Sequence, residues 1–357
     1  MFFAGSDCMQ IAWTKRPEDW GIAFGYTNHT KQLYAALERQ GVDFTDDADI
    51  QVSIVPAGGF TPVEGKINVL YTMYEATDIP DFWVDKLKGA DLVVVPCEHN
   101  RRLFKRYTKK PVVVCLEGTK PDVFTYTKRE FPKDKPFRYL WFGASNPRKG
   151  YEHMLGAWYG IKKLYPDLYA NAELYMKTTQ KGERKRIVGF EEGVPYYEVM
   201  PEERVFTAEN AIVDTRRLPE DELVKIYHDA HCFVFPTMGE GFGLTLAEAM
   251  STGLPCIYTP WSGPVDFISQ REGYKLKFKF ISTYATFPGQ PRHETFAASP
   301  KVNDIIDNMV RVYVDYNEAL QKGKLAADRI RNEITWDISA KRFVDILKDY
   351  MSKREAA

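Results

Sequence analysis

Short apolar runs separated by stretches of helical spacing fill the chain almost from end to end. In the first third, the runs at 50–56, 66–72, 91–96 and 111–116 are rich in Val and Ile and predict buried strands. Between them, 30–40, 81–87 and 100–107 carry helical spacing. The middle repeats the theme, with strands predicted at 138–143, 172–177, 232–236 and 255–258, and helices at 151–164, 220–229 and 244–251. Alternating strands and helices mean βαβ units, hence parallel sheets covered on both faces. The alternation breaks once, at 120–135, where Pro121, Pro132 and a cluster of charges replace any apolar period; this reads as a linker. From Val302 onward the pattern is wholly helical, over 302–316, 318–333 and 338–351. The expected class is therefore α/β, with two doubly wound halves facing each other across a cleft. The 357 residues agree, because one core seldom grows past about 250–300.

Charge narrows the partners. With 48 Lys+Arg against 49 Asp+Glu the formal net charge is -1, so no whole-molecule field draws the chain to nucleic acid or membrane. The five cysteines (Cys8, Cys97, Cys115, Cys232, Cys256) form no CxxC pair and read as reduced, buried thiols of a cytosol-like compartment. The first residues lack a basic segment followed by a long apolar one, and no stretch approaches 18 apolar residues. A cytoplasmic protein without a transmembrane segment is expected.

The densest chemical signal runs from Phe233 to Met250, where a predicted strand ends at Pro236 and a helix starts near Leu244. Between them lies Gly239-Glu240-Gly241-Phe242-Gly243. Glycines let a ligand approach the backbone, and a helix N-terminus offers unpaired N–H groups to an anion such as phosphate. Glu240 and Glu248 would be repelled by that phosphate and so face neutral hydroxyls. Hydroxyls at both ends with phosphate between describe a nucleotide sugar. The same loop also has the spacing of a dinucleotide fingerprint, but that fingerprint belongs on the first βα unit of its domain, and here the loop lies late in the second half.

Glu240 and Glu248 make an E-x7-E pair inside GEGFGLTLAEAM, which resembles the signature of the GT4 family of retaining glycosyltransferases with the GT-B fold. Four other segments are similar to family motifs: 116–124 to the domain junction, 142–150 to the phosphate-binding segment, 218–227 to the helix before the E-x7-E loop, and 336–342 to the start of the C-terminal helix. The resemblance implies two Rossmann-like domains. An acceptor-side domain would span 1–120 and be completed by a C-terminal helix at 337–357. A linker at 121–135 and a donor-binding domain at 136–336 would make up the rest. Lys149, Glu240 and Arg148 would be the catalytic set, with Lys149 neutralising the diphosphate and Glu240 holding sugar hydroxyls. Gly143, Gly241, Phe242, Gly243, Leu244 and Glu248 would bind the donor, Glu248 at the ribose. The family usually has an arginine where Ala144 stands, with Arg148 as its substitute from another direction. It often has a first-domain histidine as well; 71–78 has none, so Tyr74 or Glu75 takes that place, and His99 reads as structural.

The implied reaction is transfer of a hexose from a UDP- or GDP-linked donor to a hydroxyl acceptor, with no cofactor and no metal. The DxD spacing of Asp47 and Asp49 precedes a strand instead of following one and reads as a solvated turn. On the acceptor side the candidates are Gly25, Tyr26 and Glu75, within and beyond a glycine loop at 20–28. Arg101, Arg102, Lys105, Arg106, Lys109 and Lys110 form a basic block that is either a solvated helix face or a patch for an anionic acceptor. Such an acceptor would be hydroxymethylated DNA, as in viral enzymes, or a membrane-surface glycan or lipid. A second block, Lys181, Arg184, Lys185 and Arg186, is expected in a loop. The competing classes are a nucleotide-sugar epimerase or hydrolase of the same fold, and a nucleic-acid-binding protein using the basic helix.

Overall fold

The structure is a computed structural model that describes residues 8–14, 25–178, 184–191, 194–200, 205–208, 210–285 and 289–356, with the backbone alone at 184–191, 194–200 and 205–208. Two compact units emerge, and neither is one continuous stretch of chain. The first comprises Met1–Thr119, Thr283–Thr295 and Glu333–Ala357, and the second Lys120–Ser282 and Phe296–Asn332.

The first unit is built on β1 (Gln10–Trp13), β2 (Asp43–Phe44), β3 (Ile50–Ile54), β4 (Ile67–Tyr71), β5 (Leu92–Val95) and β6 (Val112–Val114), with helices α1 (Tyr26–Arg39), α2 (Asp81–Leu87) and α3 (Glu98–Lys105). The strands lie parallel in the order β2-β1-β3-β4-β5-β6. Every residue of β3, β4 and β5 is buried, as expected of β-branched strands covered on both faces. Asp47 and Asp49 sit exposed in the turn ahead of β3.

The second unit carries β7 (Phe137–Phe142), β8 (Ala172–Lys177), β9 (Arg184–Glu191), β10 (Val194–Met200), β11 (Val205–Ala208), β12 (Ala211–Asp214), β13 (Cys232–Phe235), β14 (Cys256–Tyr258) and β15 (Gly273–Lys275). Its helices are α4 (Tyr151–Leu164), α5 (Pro166–Ala170), α6 (Glu220–Asp229) and α7 (Leu244–Ser251). Its main sheet has the order β11-β12-β8-β7-β13-β14-β15, parallel except for the edge strand β11. The chain thus builds outward from β7 in one direction, then crosses back to lay β13 on its other side. Trp141, Trp158, Tyr139 and Met309 are among the side chains that fill the core.

Three features lay outside the sequence reading. Arg184, Lys185 and Arg186, expected in a loop, belong to β9, which pairs with β10; Lys181 lies outside the described residues. Next, β16 (Phe278–Ala285) and β17 (His293–Pro300) form a two-stranded ribbon whose far end belongs to the first unit. There His293 Nε2 lies 2.7 Å from the Asp78 carbonyl oxygen, and the Asp78 N–H donates to Thr295 Oγ1 at 3.2 Å. Last, residues 120–135 are no free tether. They belong to the second unit, where buried Arg129 donates to the carbonyls of Tyr227, Ala230 and Thr252 at 2.9, 3.0 and 2.6 Å.

Helices α8 (Val302–Val314) and α9 (Tyr316–Glu333) follow the ribbon, and α10 (Trp336–Glu355) closes on the first unit, packing against α1. Gly118 is the tight point: a Cβ there would fall 2.3 Å from the Thr335 carbonyl carbon. Around it Thr119 N–H donates to Ile334 O at 3.0 Å, and Ser339 Oγ donates to Leu116 O at 2.6 Å. Of the cysteines, Cys97, Cys115, Cys232 and Cys256 are buried free thiols, whereas Cys8 is exposed. No helix among the described residues is long and apolar enough to cross a membrane.

Candidate functional site

In an open parallel sheet, ligands bind beyond the carboxyl ends of the strands where the winding reverses. In the second unit that point lies between β7 and β13, which pair directly through Cys232↔Tyr139 and Phe233↔Leu140. The two loops leaving those strands are 143–150 and 236–243, the segments that hold Lys149 and Glu240. Gly150 sets how closely they meet. Its φ is 72°, and a Cβ there would lie 2.0 Å from the Pro236 carbonyl oxygen. The Met238 N–H donates to Arg148 O at 2.7 Å and ties the loops a second time.

Lys149 is fixed from both sides. Its N–H donates to Asn146 Oδ1 at 3.1 Å and its carbonyl accepts from Trp141 Nε1 at 3.1 Å. Its ammonium then donates to both carboxylate oxygens of Glu240, each at 2.8 Å. Arg148 Nη1 donates to Gly239 O at 2.7 Å and lies 3.5 Å from Glu240 Oε2. Glu240 is buried at 5% exposure, whereas the Lys149 and Arg148 side chains that meet it are partly open to solvent. Its backbone is held too, the N–H donating to Ser262 Oγ at 2.9 Å and the carbonyl accepting from Gly263 N–H at 3.1 Å.

Gly241 and Phe242 are buried in the same loop, and Gly243 is the N-cap of α7 at φ 116°, with no side-chain capping bond. The first N–H groups of α7, starting at Leu244, therefore remain available to a ligand at the positive end of the helix. One turn inside, Glu248 is half-buried and accepts from Tyr227 Oη at 2.8 Å. Withdrawal from solvent pushes its carboxyl up to about 7. Gly143 stands at the end of β7, its N–H donating to Lys177 O at 3.1 Å. The second unit thus brings Gly143, Arg148, Lys149, Glu240, Gly241, Phe242, Gly243, Leu244 and Glu248 onto two neighbouring loops and one helix.

In the first unit, Gly25 is the N-cap of α1 at φ 74°. Tyr26 Oη accepts from Met73 N–H at 3.0 Å and lies 3.4 Å from Thr72 Oγ1, which ties the start of α1 to the end of β4. Burial, and the nearby Glu75 charge after it, raise the Tyr26 phenol above its ordinary range. Tyr74 and Glu75 differ in burial. Tyr74 is core, its backbone clamped by Asn100 at 2.8 Å on both N–H and carbonyl, while Glu75 is half-buried. His99 is structural, with Nε2 3.1 Å from Ala76 O. Residues 20–24 of the expected glycine loop lie outside the described residues.

The basic helix is not a bare cationic face. Arg101 donates to Glu98 at 2.6 Å and Arg102 lies 3.4 Å from it; Arg106 pairs with Asp78 at 3.0 Å and Lys110 with Asp91 at 3.8 Å. Those acids come from outside the 101–110 window, which is why the block read as unopposed. Sequence reasoning also passed over Ser262, Tyr227 and a fully buried His29, 3.5 Å from Glu117 and lowered by burial to about 3. Only Tyr227 had a signal, since it closes the segment at 218–227.

Comparison with known proteins bears on the fold and on the segment 137–279. Residues 137–279 match the family model described as "Glycosyl transferases group 1". A sucrose synthase of Melioribacter roseus is 28% identical over 138 residues, 37% of this chain and 15% of that relative. The sulfoquinovosyl transferase SQD2 of Arabidopsis thaliana is 35% identical over 108 residues, 30% of this chain and 20% of the relative. Among solved structures, sucrose-phosphate synthase from Thermosynechococcus elongatus superposes with TM-score 0.65 at 14% identity, covering 97% of this chain and all 100% of that one. WaaG, a glycosyltransferase of lipopolysaccharide biosynthesis, does so with TM-score 0.60 at 11% identity over 94% of this chain and 98% of its own. The fold is that of the GT-B glycosyltransferases, and residues 137–279, which hold Lys149, Glu240 and α7, are similar to the group 1 glycosyl transferases.

Proposed function

We propose that the chain is a retaining glycosyltransferase that moves a hexose from a UDP- or GDP-linked donor to a hydroxyl of a glycan or lipid acceptor, without a metal. The observation that carries this reading is the meeting of Lys149 and Glu240, 2.8 Å apart, at the winding reversal of the second sheet. A cation and a helix N-terminus suit a diphosphate, and a buried carboxylate suits sugar hydroxyls. As the glycosidic bond breaks, charge grows on the departing nucleotide, and Lys149 and the N–H groups of α7 would stabilise it there. Glu248, with one oxygen on Tyr227, has the other to accept from a ribose hydroxyl. Gly25, Tyr26 and Glu75 stand at the carboxyl ends of the first sheet, where the acceptor would be held.

The test is a thermal-shift screen of UDP-, GDP- and ADP-sugars, followed by NMR of the transferred or hydrolysed sugar. One nucleotide class should raise Tm, because a ligand that binds only the native state stabilises it. The product should keep the donor's anomeric configuration. A screen in which no nucleotide sugar moves Tm would sink the proposal.

A further inference from the structure

Ser262 is one of two non-glycine residues with positive φ in the described chain, at φ 58° and ψ −135°. That is mirror-β backbone, which glycine enters freely and a side-chain-bearing residue enters only under strain. The residue is 2% exposed, and it precedes the short helical turn Gly263–Asp266 without capping it through its side chain. Its hydroxyl points elsewhere: Oγ accepts the Glu240 N–H at 2.9 Å. The next residue presses on the same loop, since a Cβ on Gly263 would fall 2.5 Å from Phe242 O and 2.6 Å from Gly241 O.

We propose that Ser262 is a positioning residue: it sits in a glycine-type conformation so that its hydroxyl can fix the backbone of Glu240, and through it the carboxylate that meets Lys149. A glycine would relax the backbone but leave the buried Glu240 N–H without its partner. Strain of this kind persists where surrounding structure over-determines it, commonly beside a ligand site. The inference rests on the donor-site reading above for its consequence, the grip on the sugar end of the donor. The strained Ser262–Glu240 link is a property of the folded chain alone.

The experiment compares wild type with Ser262→Ala, which keeps the strain and loses the hydroxyl, and Ser262→Gly, which loses both. Ser262→Gly should melt about 2–4 °C above Ser262→Ala. Hydrogen exchange at the Glu240 amide should quicken about 10-fold or more in both variants. By calorimetry, both should bind the intact nucleotide sugar about 3–10-fold more weakly than wild type, the scale of one hydrogen bond, with bare nucleotide diphosphate within about 2-fold. A glycine variant melting no higher than the alanine variant overturns the strain, and unchanged exchange overturns the link. Equal loss of intact donor and bare nucleotide reduces Ser262 to a structural residue, and wild-type affinity in either variant removes its positioning role. If wild type itself binds no nucleotide sugar, the donor reading fails, and melting and exchange still decide the link.

Discussion

The ammonium of Lys149 stands 2.8 Å from each carboxylate oxygen of Glu240, so in the ligand-free chain the two groups satisfy one another. A diphosphate arriving at Lys149 must compete with Glu240 for it, and by winning it releases Glu240 to accept from sugar hydroxyls. Glu240→Gln should therefore bind bare nucleotide diphosphate about 2–5-fold more tightly than wild type, the scale of one partly screened ion pair. It should bind the intact nucleotide sugar more weakly. Calorimetry with both ligands reads the two effects, and weakened binding of each would show that the pair does not compete.

Lys149→Ala should lower kcat by about 10²–10³, because an interaction that strengthens in the transition state acts on turnover. It should also lower Tm, because the buried Glu240 carboxylate loses its ammonium partner. Arg148→Ala should cost less than about 10-fold, since its guanidinium is spent on the Gly239 carbonyl at 2.7 Å and lies farther from Glu240. Steady-state kinetics of both variants decides. The reverse ranking would transfer the phosphate role to Arg148.

Glu248 supplies a pH test. Its carboxyl stands at about 7 in the folded chain against an ordinary 4.5, so the folded state holds the extra proton between those values. Stability from this group is complete below the unfolded value and falls as pH rises through the folded one. Glu248→Gln should accordingly raise stability at pH 8 by about 1–2 kcal/mol while changing little at pH 4. Denaturant melts at the two pH values measure it, and a gain confined to pH 4 would reverse the sign.

Donor turnover should persist in excess EDTA, because Lys149 and the start of α7 serve the diphosphate in this reading. Complete loss of activity restored by Mn²⁺ would reassign the phosphate site.

The two sheets were legible because β3, β4, β5, β7 and β13 bury nearly every residue, and a run of Val, Ile and aromatic side chains has few other uses. The helices α4, α6 and α7 begin and end where the spacing placed them. By contrast α1 starts four residues before its predicted start, behind Gly25, which caps it without the side-chain signal that marks most helix starts. The β16–β17 ribbon was illegible for the opposite reason: Phe280, Tyr284 and Phe296 are 52, 49 and 46% exposed, against the rule that such residues go inside. At the site, the chemistry of Lys149 and Glu240 could be read separately. Their contact comes from β7 lying beside β13, and the twist of Ser262 has no sequence signal at all.

The weave around Gly118 also orders events in time. Residues 333–357 belong to the first unit, yet a ribosome makes them long after residue 119. Until α10 emerges, His29 lacks the Trp336 ring it faces at 5.5 Å, and Tyr71 lacks Phe343 at 6.1 Å. The second unit has nearly all of its own sequence by then and can close first, whereas domains ordinarily fold in the order they are synthesised. Of these two units, the one whose synthesis starts first is thus the one completed later, and until then its α1 lacks the cover that α10 provides.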